Sequence, residues 1–200
     1  MKKLLLSALL SILFVGGAFA QEGTRWGIVG GMNVSNFNIS GFDSRIGFNL
    51  GARAEFSLSK SVEGLYLDAA ALLSLKGAEI DGGSLAKFTV NPYYLEIPIH
   101  LGYKYAVNDD FSIFGSAGPY LGFGLFGKAK VKAEGESMKE DVFGDDGFKR
   151  FDFGLGLKAG FEIAKKYRFA FGYDFGLIEA DDENLGIKNR NFSISFAYMF

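Results

Sequence analysis

Cysteine is absent from the 200 residues, so neither a disulfide nor a thiolate metal site can hold this chain together. A single histidine, His100, leaves no second imidazole for a metal cluster. Beyond residue 15 no apolar run has the length a transmembrane helix needs, and any membrane residence must therefore come from strands. Basic stretches with interleaved aromatics are also missing, and the net charge is only −2, which argues against a nucleic-acid partner. Against these absences stand 28 Gly and 22 Phe. So much glycine disfavours helices, and so much phenylalanine must be hidden from water.

The chain opens MKKLLLSALLSILFVGGAFAQEG: Lys2 and Lys3, an apolar run from Leu4 to Val15, then Ala18 and Ala20 before Gln21. This pattern predicts a cleaved secretory signal over 1–20. The remaining 21–200, about 180 residues, is enough for one domain.

That domain is written in alternation. In FDFGLGLKAGFEI, residues 151–163, Phe151, Phe153, Leu155, Leu157, Ala159, Phe161 and Ile163 share one face, and Asp152, Gly154, Gly156, Lys158, Gly160 and Glu162 share the other. The same two-faced pattern recurs at 46–58, 65–76, 93–105, 167–177 and 191–200. It recurs less cleanly at 25–34, where Val29 breaks it, and at 111–126, where Phe114 and Tyr120 do. The sum is eight strands. Long polar connections (35–45, 77–91, 127–149, 179–189) alternate with short ones (59–64, 106–110, 164–166), as in an antiparallel up-and-down meander with all long loops at one end.

Volume decides which face is the inside. An eight-stranded barrel encloses little more than its own side chains. The Phe, Tyr and Leu of eight strands overfill such a lumen, whereas the Gly, Ser, Ala and scattered charges of the other face fit it. The apolar face is expected to meet lipid, which predicts an all-β, eight-stranded transmembrane β-barrel in the cell outer membrane. Trp26, Phe56, Tyr103, Tyr105, Phe111, Phe161, Tyr167 and Tyr198 gather at the short-turn ends as an interfacial girdle. The alternative is a soluble barrel of the lipocalin kind with the apolar face inward, whose exterior would then be largely glycine.

The lumen face collects Arg53, Lys76, Lys104, Lys158 and Arg168 against Glu55, Asp68, Glu96, Asp152, Glu162 and Asp174. Near-balance predicts a paired network filling the barrel, with an ion pathway as the functional alternative. His100 lies on the same face; as general base for a serine it would be the centre of a lipid-modifying enzyme, and as a packing residue it would not. Pro98 and Pro119 predict bulges, since a closed barrel has no edge to receive them. Loop 127–149 is read first as a solvated loop near lipopolysaccharide; its KAKVKAEG stretch alternates, and the alternative is a strand extended above the membrane as an exposed edge for an envelope partner. EADDEN (179–184) is either a cation site or a solvated acidic run. No residue is assigned a catalytic, cofactor or metal role.

YYLEIPIHLGYKY, GSAGPYLGFGL, FDFGLGLKAGFEI and the closing aromatic strand resemble the small outer-membrane β-barrel domain family often called PorT-like, and the architecture resembles the OmpA and OmpX barrels. The resemblance implies an outer-membrane location among lipid and lipopolysaccharide, and no single activity. Some relatives serve secretion or gliding machinery. Phe200, with Phe196 and Tyr198 at alternate positions before it, resembles the signal by which such barrels are recognised for assembly. The expected protein is a non-enzymatic barrel with a filled lumen and contact-making loops; a secretion or gliding accessory, a narrow channel and a lipid-modifying enzyme are the alternatives.

Overall fold

A computed structural model describes residues 23–38, 41–81, 86–133, 136–143, 148–180 and 186–200. The expected signal segment and most of EADDEN lie outside the described residues. The chain forms β1 (Thr24–Phe37), β2 (Asp43–Ser57), β3 (Leu65–Leu75), β4 (Ala78–Asp81), β5 (Ala86–Ala106), β6 (Phe111–Ala133), β7 (Glu136–Asp141), β8 (Phe151–Ile163), β9 (Tyr167–Gly176) and β10 (Asn189–Met199). Eight of them, all but β4 and β7, pair antiparallel with their neighbours in chain order. The ring closes where β1 meets β10, from Gly27↔Met199 to Phe37↔Asn189. Closure pairs the backbone without an edge, the condition for strands to cross lipid.

Alternation fixes the two faces as expected. Ile28, Leu50, Leu101, Leu157 and Phe171 point outward and are more than half exposed, whereas Arg168, His100, Tyr94 and Tyr120 are buried inside. The residues that broke the sequence pattern are lumen aromatics and Val29. The aromatics fit because glycine faces them: a Cβ on Gly160 would lie 2.8 Å from Cζ of Phe114, and one on Gly154 would lie 2.8 Å from Cζ of Tyr120. Val29 packs with Leu72, Ala197 and Met199.

The expected girdle is present at the short-turn end, with Phe111–Phe161 (5.9 Å), Phe161–Phe169 (5.2 Å) and Tyr167–Tyr198 (5.6 Å) in ring contact. A second belt, not anticipated, lies at the long-loop end: Phe48–Tyr93, Tyr93–Phe126 at 4.7 Å, and Phe123–Phe151.

The prolines do not make bulges. Between β5 and β6 one register runs from Tyr94↔Gly124 through Pro98↔Tyr120 to Ala106↔Ser112, and Pro119 keeps its place opposite Leu155. Each proline instead interrupts the ladder locally: pairing lapses at Ile99 and His100 beside Pro119, and at Ala70 and Ala71 beside Pro98. A missing N–H costs a hydrogen bond without requiring an extra residue. The register shift is elsewhere. Tyr93 pairs with Phe126 and Tyr94 with Gly124, which leaves Leu125 as the additional residue of β6. Arg150 Nη1 donates to the carbonyls of Gly124 (3.0 Å) and Leu125 (3.2 Å), and its guanidinium lies 5.1 Å from the Phe143 ring.

β5 and β6, at 21 and 23 residues, exceed the length needed to cross the hydrocarbon. Their excess rises at the long-loop end, flanked by β4 on β5 and by β7 on β6. There the two faces exchange character. Val90, Phe88 and Ala129 pack on the axial side with Tyr94, Val142, Phe143 and Phe148, while Asn91, Lys128 and Lys130 take the outer side. Above lipid the surroundings are aqueous, and apolar groups turn inward as in a soluble sheet. Phe148 also packs on Phe37, Ala78 and Ile187, and the two clusters together cap this end of the barrel.

Candidate functional site

The lumen is where sequence and fold concentrate polar chemistry, in three tiers. Nearest the short turns, five strands each contribute one charge: Arg25 (β1), Glu55 (β2), Lys104 (β5), Glu162 (β8) and Arg168 (β9). Register alone places Arg25 opposite Glu55 and Glu162 opposite Arg168. Glu162 accepts from Arg25 (3.1 Å), Lys104 (3.1 Å) and Arg168 (2.7 Å). Glu55 accepts from Arg25 (3.1 Å), Lys104 (2.9 Å) and Arg168. Arg168 is fully buried and its guanidinium lies 4.8 Å from the Phe114 ring. Arg25 also donates to the carbonyl of Lys165, which ties the network to the β8–β9 turn, where Ala164 and Lys165 both have positive φ.

In the middle tier Arg53 donates to Asp68 at 2.7 Å, and His100 faces Asp68 across the β3–β5 ladder. His100 is completely buried, and neither ring nitrogen has a partner among the described residues. Gly156 makes room for it, since a Cβ there would sit 2.8 Å from both His100 Nε2 and an Asp174 carboxylate oxygen. Lys158 is half-buried on the same face and forms no ion pair among the described residues.

The upper tier joins Lys76 to Glu96, with the Lys76 ammonium 4.6 Å from the Tyr120 ring. Tyr120 Oη donates to Asp152 at 3.2 Å, Asn189 donates to Asp152 at 3.0 Å, and Asn191 donates to Asp174 at 3.1 Å. Beside them Asn49 donates to Asn33 (2.7 Å) and Asn33 to Ser74 (2.9 Å).

The expected lumen set is thus brought together, with Lys158 unpaired. Arg25 was missed, although it shares the phase of Gly27 and Val29, and so were Asn33 and Asn191, which alternate with the outward apolar residues Met32 and Phe192. Among the described residues no group of three His, Asp or Glu side chains is placed to hold a metal. The KAKVKAEG stretch extends a strand rather than forming a solvated loop, but it is not the edge: β6 is flanked there by β5 and β7, and β7 is the outer strand.

A cavity of about 610 Å³ opens below the lowest tier, between Arg25, Lys104, Tyr66 and the 59–64 turn. It ends at Glu55 and Glu162. The charges of the tier above it are engaged with one another.

Among solved structures the chain is similar to Ail, the attachment invasion locus protein of Yersinia pestis (18% identity, 90% of this chain and 100% of that one, TM-score 0.46). It is also similar to Neisserial surface protein A (14%, 90% and 100%, TM-score 0.49) and to OprG from Pseudomonas aeruginosa (15%, 89% and 96%, TM-score 0.44). No curated protein matches. The family described as "Outer membrane protein beta-barrel domain" matches residues 5–200, nearly the whole chain. The match is to that family and does not extend to the PorT-like group. A closed, lipid-faced barrel matched over that length belongs to the outer membrane protein beta-barrel domain family and resides in the outer membrane.

Proposed function

We propose that this outer-membrane barrel is non-enzymatic, that its lumen is a structural plug, and that its long-loop end faces outward and makes its specific contacts. Residues 1–20 direct export and are removed, leaving the 21–200 barrel with both ends of the chain in the periplasm. One observation carries the reading: Arg168, without solvent exposure, bridges Glu55 and Glu162 across the barrel. A plug of interlocked charges leaves neither a water-filled path nor an open catalytic group. His100, the one candidate base, is likewise without solvent exposure.

Planar-bilayer recording of the refolded protein tests the plug. The expected record is a flat baseline at either polarity; steady unitary current would establish a channel in its place.

Orientation and assembly are read in one further assay, protease added to intact cells. Cleavage is expected within 127–149, with the turns at 59–64 and 164–166 protected. Cleavage at those turns instead would invert the topology. We also assign to Phe200 a role in recognition by the barrel-assembly machinery, since it continues the outward aromatic series Phe196 and Tyr198 and its N–H donates to the Trp26 carbonyl at 2.8 Å. Deleting it should leave protease-protected precursor in the periplasm. Surface cleavage at the wild-type level in that variant would remove the role.

A further inference from the structure

On the outer side of the sheet above the membrane, two opposed lysines have no acidic partner among the described residues. Lys130 of β6 pairs in register with Lys139 of β7, and directly opposed like charges on an antiparallel ladder repel. Lys128, one step lower, is answered by Asp141 at 2.7 Å. Lys130 and Lys139 have no such answer among the described residues. On the β5 side Lys130 faces Thr89, and the next row of the register sets Lys132 between Lys87 and Ser137.

Height above the membrane identifies the missing counter-charge. Phe126, more than half exposed and stacked on Tyr93, belongs to the upper aromatic belt that marks the lipid boundary. A two-residue step along a strand tilted by about 40° climbs roughly 5 Å, so Lys128 and Lys130 stand about 5 and 10 Å above that ring. The polar headgroup layer begins at this height and extends outward. In an outer leaflet that layer consists of the phosphorylated sugars of lipopolysaccharide.

We propose that Lys130 and Lys139, opposed on the outward side of β6 and β7, form a phosphate-binding site for lipopolysaccharide of the surrounding leaflet. The proposal rests on the outward orientation of the long-loop end given above. Lys128 holds Asp141 and thereby fixes β7 beside β6, and the lipid phosphate takes the place of the acid that the Lys130–Lys139 pair lacks.

The test is binding of lipopolysaccharide by the refolded 21–200 chain in phosphatidylcholine vesicles, for wild type, the double variant Lys130→Gln/Lys139→Gln, and a control, Lys60→Gln/Lys166→Gln, at the opposite end. The double variant should bind about thirtyfold more weakly, the expected loss for two lysines near an anionic surface, and the control should match wild type. Dephosphorylated lipopolysaccharide should bind wild type and double variant alike. Equal affinity of wild type and double variant for intact lipopolysaccharide would overturn the site. Saturation by free inositol hexaphosphate with no binding to vesicle lipopolysaccharide would overturn the lipid as its source. A second measurement guards against misfolding: Lys139→Glu creates an internal partner for Lys130, so it should raise the unfolding midpoint in phosphatidylcholine alone while abolishing the gain from lipopolysaccharide. A gain equal to that of wild type in this variant also counts against the site. Protease accessibility of 127–149 on intact cells reports the orientation separately, so a misplaced site and a misread topology give different results.

Discussion

Glu162→Gln is expected to lower the stability of the barrel by about 3–5 kcal/mol, the cost of removing one partner from a buried ionic network. The side chain is 2% exposed and accepts hydrogen bonds from Arg25, Lys104 and Arg168. With Glu55 it balances those three cations to a net charge of +1; as glutamine it leaves three cations facing one carboxylate, a net +2 away from water. Arg168→Met changes the count in the opposite direction. Two cations then face two carboxylates, and each of Glu55 and Glu162 retains Arg25 and Lys104. The residue lost is the more deeply buried of the two, yet the charge left behind is neutral. Arg168→Met should therefore cost less than Glu162→Gln, although it forfeits stacking on Phe114. Denaturant unfolding of the refolded protein in lipid vesicles measures both. If the arginine variant proves the costlier, charge balance is not what holds the lower tier and the Arg168 packing is.

The lower tier also marks how far the sequence could be read. Within the membrane the chain meets two surroundings, lipid outside and a narrow lumen inside, and strict alternation reports them faithfully: Glu55, Lys104, Glu162 and Arg168 all fall on the expected face. Alternation failed where the surroundings change. At Tyr93 and Tyr94 the β-bulge shifts the phase of β6, and above it water replaces lipid, so Val90 and Ala129 turn to the axis while Lys128 and Lys130 turn out. A search for one polarity throughout cannot see strands that reverse theirs, which is why 77–91 and 127–149 read as loops.

Two other misreadings have local causes. Pro98 and Pro119 looked like bulges because a ladder donor is missing, and the ladder tolerates that gap without a register change. The bulge that does occur, at Leu125, has no proline; its carbonyl groups are instead satisfied by Arg150 from beyond the 127–149 segment, a long-range contact that no short window contains. Arg25 was overlooked for a plainer reason. It is the second residue of β1 and the first of the segment read from the sequence, where a single phase point cannot be told from the end of the preceding segment.

Leu157→Arg should cost about 2–4 kcal/mol, the penalty for a cation placed on the lipid face near the bilayer midplane. Leu157 is the central residue of β8 and is 53% exposed on the outer side. Its neighbour Lys158 faces the lumen, half-buried and without an ion pair among the described residues. Lys158→Ala leaves no carboxylate stripped of a contact partner, and it should change stability by less than about 1 kcal/mol, as for substitutions that break no buried pair. Adjacent positions thus differ severalfold in cost because the backbone turns them toward different media. A soluble barrel would reverse the geometry, with Leu157 in a dry core and Lys158 in water. That arrangement also penalises arginine at 157, so stability in vesicles does not separate the two folds unaided; the choice of medium does. Refolding both variants and the wild type with and without vesicles supplies it. The wild-type chain should acquire its β-sheet signature and resist denaturant only with lipid present, and thinner-chain lipids, which bring the headgroups closer to residue 157, should reduce the Leu157→Arg penalty. A wild-type chain that folds and stays monomeric in buffer, with an arginine penalty indifferent to acyl-chain length, would be incompatible with Leu157 facing lipid.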